Sequence, residues 1–309
     1  MNDVIVIVAP GQGSQKPGFL SPWLELPGAR ARLAALGEAA GIDLIEHGTV
    51  SDADTIRDTR VAQPLIVAAG ILALDALGER ASLASGVAGH SVGEITAAVA
   101  AGVLEAEDAM ALVGERSRAM ADAAAQTPTG MAAVIGADET ELETRLAELG
   151  LQPANYNGGG QVVVAGPLDA LGALGEAPPA RARVIPLQTA GAFHTSFMEP
   201  AVERFRAKAA STPTADPTTT LWTNRDGSPV ERGAEFLELI VGQLSSPVRW
   251  DLCMAAFQEA GVTGIIELAP AGALVGLAKR GLRGVPAVGV SSPDDLEAAV
   301  RLLESGAAA

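Results

Sequence analysis

Residues 4–10 read VIVIVAP. An unbroken apolar, largely β-branched run of this kind has no wet face, so it is predicted as a strand covered on both sides, the setting of an inner strand in a parallel sheet. GVAG (86–89), TLWTNR (220–225), GIIELAP (264–270) and PAVGV (286–290) are shorter segments of the same character. Helical stretches such as VAQPLIVAAGILALDAL (61–77) and AGALVGLAKR (271–280) lie between them. Strands alternating with helices imply an α/β fold with a mostly parallel sheet. A chain of 309 residues with 48% hydrophobic content can bury a large core, and its length suits a large domain that carries a smaller one.

The middle of the chain changes pattern. GMAAVIG (130–136) reads as a strand and DETELETRLAELG (138–150) as a helix with Leu142, Leu146 and Leu149 on one face. QPANYN and QVVVAG (161–166) read as strands around the GGG turn at 158–160, followed by a helix from about 167 and a strand ARVIPLQ (182–188). The order β-α-β-β-α-β is the ferredoxin-like one. The predicted fold is therefore α/β: an α/β-hydrolase-like core over residues 1–127 and 191–309, with an inserted ferredoxin-like subdomain over 128–190. A cleft between the two parts is the natural place for a ligand. The Pro/Thr-rich TPTADPTTT (212–220) and the tail SGAAA (305–309) read as loose.

Composition narrows the function. A formal net charge of -16 argues against nucleic acid, whose phosphates call for clustered Lys and Arg. An anionic ligand would need a local basic patch, for which LAKRGLRG (277–284) and ARAR (180–183) are the candidates. One cysteine, Cys253, and three scattered histidines offer neither a disulfide framework nor a metal site, and no cofactor is expected. The short apolar run after Asp3 fits a buried strand and not a signal peptide or membrane span, so a cytoplasmic protein with no membrane partner is expected.

GHSVGE (89–94) fits G-x-S-x-G between a predicted strand and a predicted helix that closes at Gly102, the context in which a serine sits on a sharp nucleophile elbow. The elbow would put Ser91 at a helix N-terminus, where unpaired N–H groups can stabilise an oxyanion; a glycine-rich turn would read the same way. A serine nucleophile needs a base. His47 reads as a surface residue, and His90 adjoins Ser91 with its side chain turned away by the elbow, which suits a supporting role. His194, in GAFHTSFM, is left as the base, and it follows the serine in the order seen in α/β-hydrolase sites. In the helix predicted from about Glu105, with Glu107 and Asp108 in its first turn, Ala109, Leu112, Val113, Arg116 and Met120 share one apolar face. No carboxylate lies three or four residues from Arg116, so its guanidinium must reach the edge or meet a carboxylate from elsewhere, either a distant acidic side chain or a substrate gripped by a two-pronged contact.

Six blocks in collinear order, PGQGSQ (10–15), GHSVGE, Arg116 in ERSRAM, NYNGGGQVVVAG (155–166), GAFHTSFM (191–198) and QLSSPVRW (243–250), resemble the signature series of malonyl-CoA:acyl carrier protein transacylases. The resemblance implies a ping-pong acyl transfer in which malonyl-CoA acylates Ser91 and an acyl carrier protein takes the malonyl group on its phosphopantetheine thiol. It implies His194 as base, the backbone N–H groups of Gln12 and Val92 as oxyanion hole, Arg116 as the grip on the malonyl carboxylate, Gln243 as the residue that orients the histidine, and Asn157 as part of the site wall. Phe193 resembles the aromatic that accompanies malonyl preference in related polyketide acyltransferases, where its ring would crowd an α-methyl branch. The same elbow, histidine and oxyanion hole would also serve a serine esterase or thioesterase. A non-catalytic carrier-docking module would have no use for the full set.

Overall fold

The computed structural model describes residues 3–189 and 191–307. The described residues form ten strands: β1 (Val4–Ala9), β2 (Gly86–Gly89), β3 (Thr129–Ile135), β4 (Gln152–Gly158), β5 (Gln161–Pro167), β6 (Arg183–Leu187), β7 (Thr220–Trp222), β8 (Val248–Arg249), β9 (Val262–Glu267) and β10 (Ala287–Gly289). Five of them make a sheet in the order β10-β9-β1-β2-β7 in which every pairing is parallel. β1 lies at its centre, and its alternate residues enter two different cores. Ile5, Ile7 and Ala9 pack on the side of the helix Thr59–Leu77, whereas Val6 and Val8 face Trp222, Phe257 and Leu277. The absence of alternation in VIVIVAP reflects apolar cover on both faces.

The segment from Thr59 to Leu83 is long and apolar enough to cross a membrane, but 83% of its most apolar window is buried inside the protein, which makes it the central core helix.

The second sheet runs β6-β3-β5-β4-β8. Its first four strands are antiparallel neighbours, and with the helices Glu139–Leu149 and Leu168–Glu176 they follow in chain order as β-α-β-β-α-β, a ferredoxin-like arrangement. Asp138 caps the first of these helices by accepting from Glu141 N, and Gly150 ends it at φ 66. Leu142, Leu146 and Leu174 pack with Val134 and Val164 on the helix side of the sheet.

β8 was not anticipated. Its two residues pair parallel with β4, Val248 opposite Asn155 and Arg249 opposite Tyr156, so the larger part of the chain supplies the edge strand of the smaller sheet. The expected boundary at residue 190 lies outside the described residues.

Two further expectations are corrected. The strand expected over 220–225 ends at Trp222, because Gly227, at φ 74, donates its N–H to Thr223 O and Asp226 Oδ1 accepts from Ser228 N, which closes a turn. Ser305 to Ala307, expected to be loose, continue the helix Leu296–Ala307, whose Ala299 and Leu303 are buried; residues 308 and 309 lie outside the described residues.

Candidate active site

Packing explains the G-x-S-x-G spacing. A Cβ on Gly89 would stand 2.0 Å from the carbonyl carbon of Gly93, and one on Gly93 would stand 2.2 Å from the carbonyl oxygen of Ala9. The chain can thus turn from β2 into the helix Gly93–Ala100 only if both positions lack side chains. Ser91 sits at the apex with φ 54, in the left-handed region that serine rarely visits. Asn224 holds it there: its Oδ1 accepts from Ser91 N at 2.8 Å and its Nδ2 donates to Gly89 O at 2.7 Å.

Ser91 Oγ lies 2.7 Å from His194 Nε2, and His194 Nδ1 lies 2.8 Å from the main-chain oxygen of Gln243. A carbonyl can only accept, so Nδ1 carries the proton and Nε2 turns its lone pair to the serine hydroxyl. Gln243, expected to orient the histidine, meets it through its backbone oxygen and not through its carboxamide. His194 is 3% exposed, and burial followed by the charge of Arg116 pushes its pKa down to about 3, so the ring is held neutral. It also has positive φ, 62, fixed in part by a bond from its N–H to Leu244 O at 3.1 Å.

Arg116 takes a course that sequence periodicity did not offer. It is 1% exposed in the helix Ala106–Ala124 and neither reaches solvent nor, among the described residues, meets a carboxylate at ion-pair distance. Its Nη1 donates to Gln63 Oε1 and its Nη2 to Gln243 Oε1, each at 2.8 Å. Two neutral amide oxygens fix the guanidinium but leave its charge unbalanced nearby. Burial pulls its pKa down to about 10, opposed by Glu94. Glu94, in the first turn of the elbow helix, is 2% exposed; burial pushes its carboxyl up to about 8, against the pull of Asn224 N–H, Thr223 and Arg116.

A cavity of about 360 Å³ opens over the serine between the two sheets. Gln12, His90, Ser91, Asn157, Phe193, His194 and Arg280 are on its walls, and Arg116 is buried behind them. Arg280 of LAKRGLRG thus faces the cavity, whereas Arg183 is exposed on β6. His90 does not touch the serine hydroxyl. Its Nε2 meets Asn157 Oδ1 at 2.9 Å, and Asn157 Nδ2 donates to Gln161 Oε1 at 3.0 Å, so the supporting role expected of His90 is to fix Asn157. Among the described residues the backbone N–H groups of Gln12 and Val92 donate to no acceptor. Gly11 lets the Gln12 loop close over the elbow, since a Cβ there would stand 3.0 Å from both His90 Nδ1 and His90 O. His47 lies elsewhere, bonded to Ser51. Among the described residues no three metal-binding side chains cluster.

Sequence reasoning passed over Gln63, Glu94 and Asn224. Gln63 is a buried polar residue within the apolar stretch of its helix, the same signal that singled out Arg116. Glu94 stands inside GHSVGE, and Asn224 inside a segment read as strand.

Residues 6–298 match the family model described as acyl transferase domain. The chain is 56% identical over 297 residues, 95% of its own length and 98% of the relative's, to the malonyl CoA-acyl carrier protein transacylase of Mycobacterium tuberculosis. The crystal structure of MCAT from Mycobacterium tuberculosis superposes with a TM-score of 0.93 at 55% identity, covering 96% of this chain and 99% of that one. A malonyl-transacylase in complex with its type II PKS acyl-carrier protein superposes with a TM-score of 0.92 at 28% identity, covering 97% of this chain and 100% of that one.

Proposed function

This chain belongs to the acyl transferase domain family, as a malonyl-CoA:acyl carrier protein transacylase, and we propose that Ser91, His194 and Arg116 carry its reaction in the cleft between the core (1–127 and 191–309) and the inserted lobe (128–190). The enzyme moves a malonyl group from malonyl-CoA to the phosphopantetheine thiol of an acyl carrier protein. The observation that carries the assignment of roles is the relay from Ser91 Oγ through His194 to the Gln243 carbonyl.

As Ser91 Oγ attacks the thioester carbonyl, its proton passes to His194 Nε2, and the carbonyl oxygen becomes an oxyanion facing the free N–H groups of Gln12 and Val92. Collapse breaks the carbon–sulfur bond, and the CoA thiolate takes the proton back from His194. The carrier thiol then gives its proton to His194, attacks the malonyl-Ser91 ester, and the alkoxide of Ser91 recovers the proton as the new thioester forms. A thiolate leaves far more readily than an amine or alkoxide, because a thiol has a pKa near 8.5, roughly. A neutral carbonyl behind the histidine therefore suffices where a protease uses a carboxylate. Arg116, which among the described residues has no carboxylate at ion-pair distance, supplies the partner for the free carboxylate of the malonyl group. Phe193 lines the cavity beside the histidine, and Asn157, fixed by His90, completes the wall. Such an enzyme works in the cytoplasm with the carrier of fatty acid or polyketide synthesis.

The test is mass spectrometry of the intact protein after mixing with malonyl-CoA. The wild type gains a malonyl adduct on Ser91 that survives in buffer and is discharged by the holo carrier protein, whereas Ser91→Ala gains none. Rapid release of malonate without a carrier would make the enzyme a hydrolase, and a labelled Ser91→Ala would place the nucleophile elsewhere.

A further inference from the structure

The Gln243 side chain meets more of the site than any relay needs. Its Oε1 accepts from Arg116 Nη2, and its Nε2 donates to Glu94 Oε2 and lies 3.3 Å from both Ser91 O and Asn224 Oδ1. A carboxamide has two nearly isosteric ends, and turned over it would set an NH₂ group against the guanidinium, donor against donor. Arg116 opposes that orientation at the oxygen end of the carboxamide, and Glu94 opposes it at the nitrogen end. Glu94 Oε1 is anchored by Asn224 N at 2.7 Å, and its Oε2 is left to accept from Gln243.

We propose that Glu94 is a positioning residue for Arg116, acting through Gln243: it draws the amide nitrogen to itself and thereby keeps the amide oxygen on the guanidinium. Glu94 stands one amide away from Arg116, bonded to Gln243 and Asn224 and not to the guanidinium. The glutamate of GHSVGE thus serves acyl-group selection, although it touches no substrate. The inference rests on the reading of Arg116 as the partner of the malonyl carboxylate.

The decisive readout is the ratio of kcat/KM for malonyl-CoA to kcat/KM for acetyl-CoA, which lacks the carboxylate. Because both numbers come from one preparation, any unfolded fraction cancels. Glu94→Gln keeps the shape but offers an amide nitrogen where an oxygen accepted, which turns Gln243 over; the ratio is expected to fall by about tenfold to a hundredfold, mostly through KM for malonyl-CoA. In an Arg116→Ala background the same substitution is expected to change malonyl transfer by less than about threefold, because its route of action is gone. Gln243→Ala, which retains the backbone carbonyl that holds His194, is expected to lower the ratio to a similar degree and provides the test if Glu94→Gln does not fold. Equal losses for both acyl groups in these variants, or fully additive losses in the double variant, would overturn the proposal. If Arg116→Ala collapses the ratio while Glu94→Gln and Gln243→Ala leave it intact, only the role of Glu94 falls. If Arg116→Ala leaves it intact, the substrate role of Arg116 falls and the inference falls with it.

Discussion

Asn224→Ala tests how the elbow is held. The side chain is 1% exposed and ties together two backbone groups on either side of His90: Ser91 N–H at 2.8 Å and Gly89 C=O at 2.7 Å. Removing it deletes two buried hydrogen bonds worth about 1 kcal/mol each and leaves both backbone groups unpaired, at about 1–3 kcal/mol apiece unless water enters. The expected loss of stability is about 2–5 kcal/mol, which would lower Tm by roughly 3–8 °C in a chain of this size. The kinetic effect should exceed what unfolding explains. Ser91 holds a left-handed backbone that costs about 1–2 kcal/mol and that Asn224 sustains, so without it the residue relaxes and Oγ leaves the line of His194 Nε2. A misplacement of this order costs roughly a hundredfold in rate. Thermal unfolding gives the first quantity, and quenched-flow acylation by malonyl-CoA, counted by intact mass and normalised to the folded fraction, gives the second. An Asn224→Ala protein that melts within about 2 °C of wild type and acylates within about threefold of it would show that the elbow is self-supporting and the argument wrong.

Three other outcomes are expected. With the His194 pKa pushed down by burial and by Arg116, the base stays neutral as the pH falls, so the acid limb of kcat/KM for acylation should lie below about pH 5. Because the unfolded chain binds that proton first, stability should decline as pH drops from the ordinary histidine range toward the folded value; a limb at the ordinary imidazole pKa in a pH–rate profile would contradict both statements. Phe193→Ser should raise kcat/KM for methylmalonyl-CoA relative to malonyl-CoA by about tenfold, since the ring lines the cavity beside the base; an unchanged ratio would make it mere packing. Gly93→Ala should cost at least about 3 kcal/mol, as its Cβ would strike the Ala9 carbonyl, whereas Gly172→Ala, in the helix Leu168–Glu176 with open space around it, should be neutral or gain up to about 1 kcal/mol in chemical denaturation. Equal effects of the two would show that helix propensity and not packing governs the elbow glycine.

What could be read from the sequence was whatever repeats locally. β1, the helix Thr59–Leu77 and the β-α-β-β-α-β run of the smaller sheet announce themselves because burial writes a period into neighbouring residues. The serine elbow is legible because its two glycines are a local steric need. His194 could be found because only three histidines exist. The remaining links join residues far apart in the chain and leave no period. The bond from Gln243 O to His194 spans 49 positions, that from Asn224 to Gly89 spans 135, and β8 is two residues long. The carbonyl of Gln243 carries no signal at all, since every residue has one. Arg116 could be flagged as a charge on an apolar stripe, but its partners Gln63 and Gln243 could be known only once three helices were brought together.

The ladder between β8 and β4 decides how the cleft can behave. Val248 and Arg249 bind the smaller sheet by main-chain pairing, Arg249 N also donates to Asn224 O at 2.8 Å, and five residues earlier the same stretch begins with Gln243. A hinge opening wide enough to pull the sheets apart would break this seam, and the strain would pass directly to the carbonyl behind His194 and the amide beside Arg116. The cleft is therefore a slot of fixed gauge, closer to a lock cut for one shank than to a jaw. A donor and an acceptor as unequal in bulk as a nucleotide thioester and a folded carrier protein can use it in turn because only the pantetheine arm common to both has to enter.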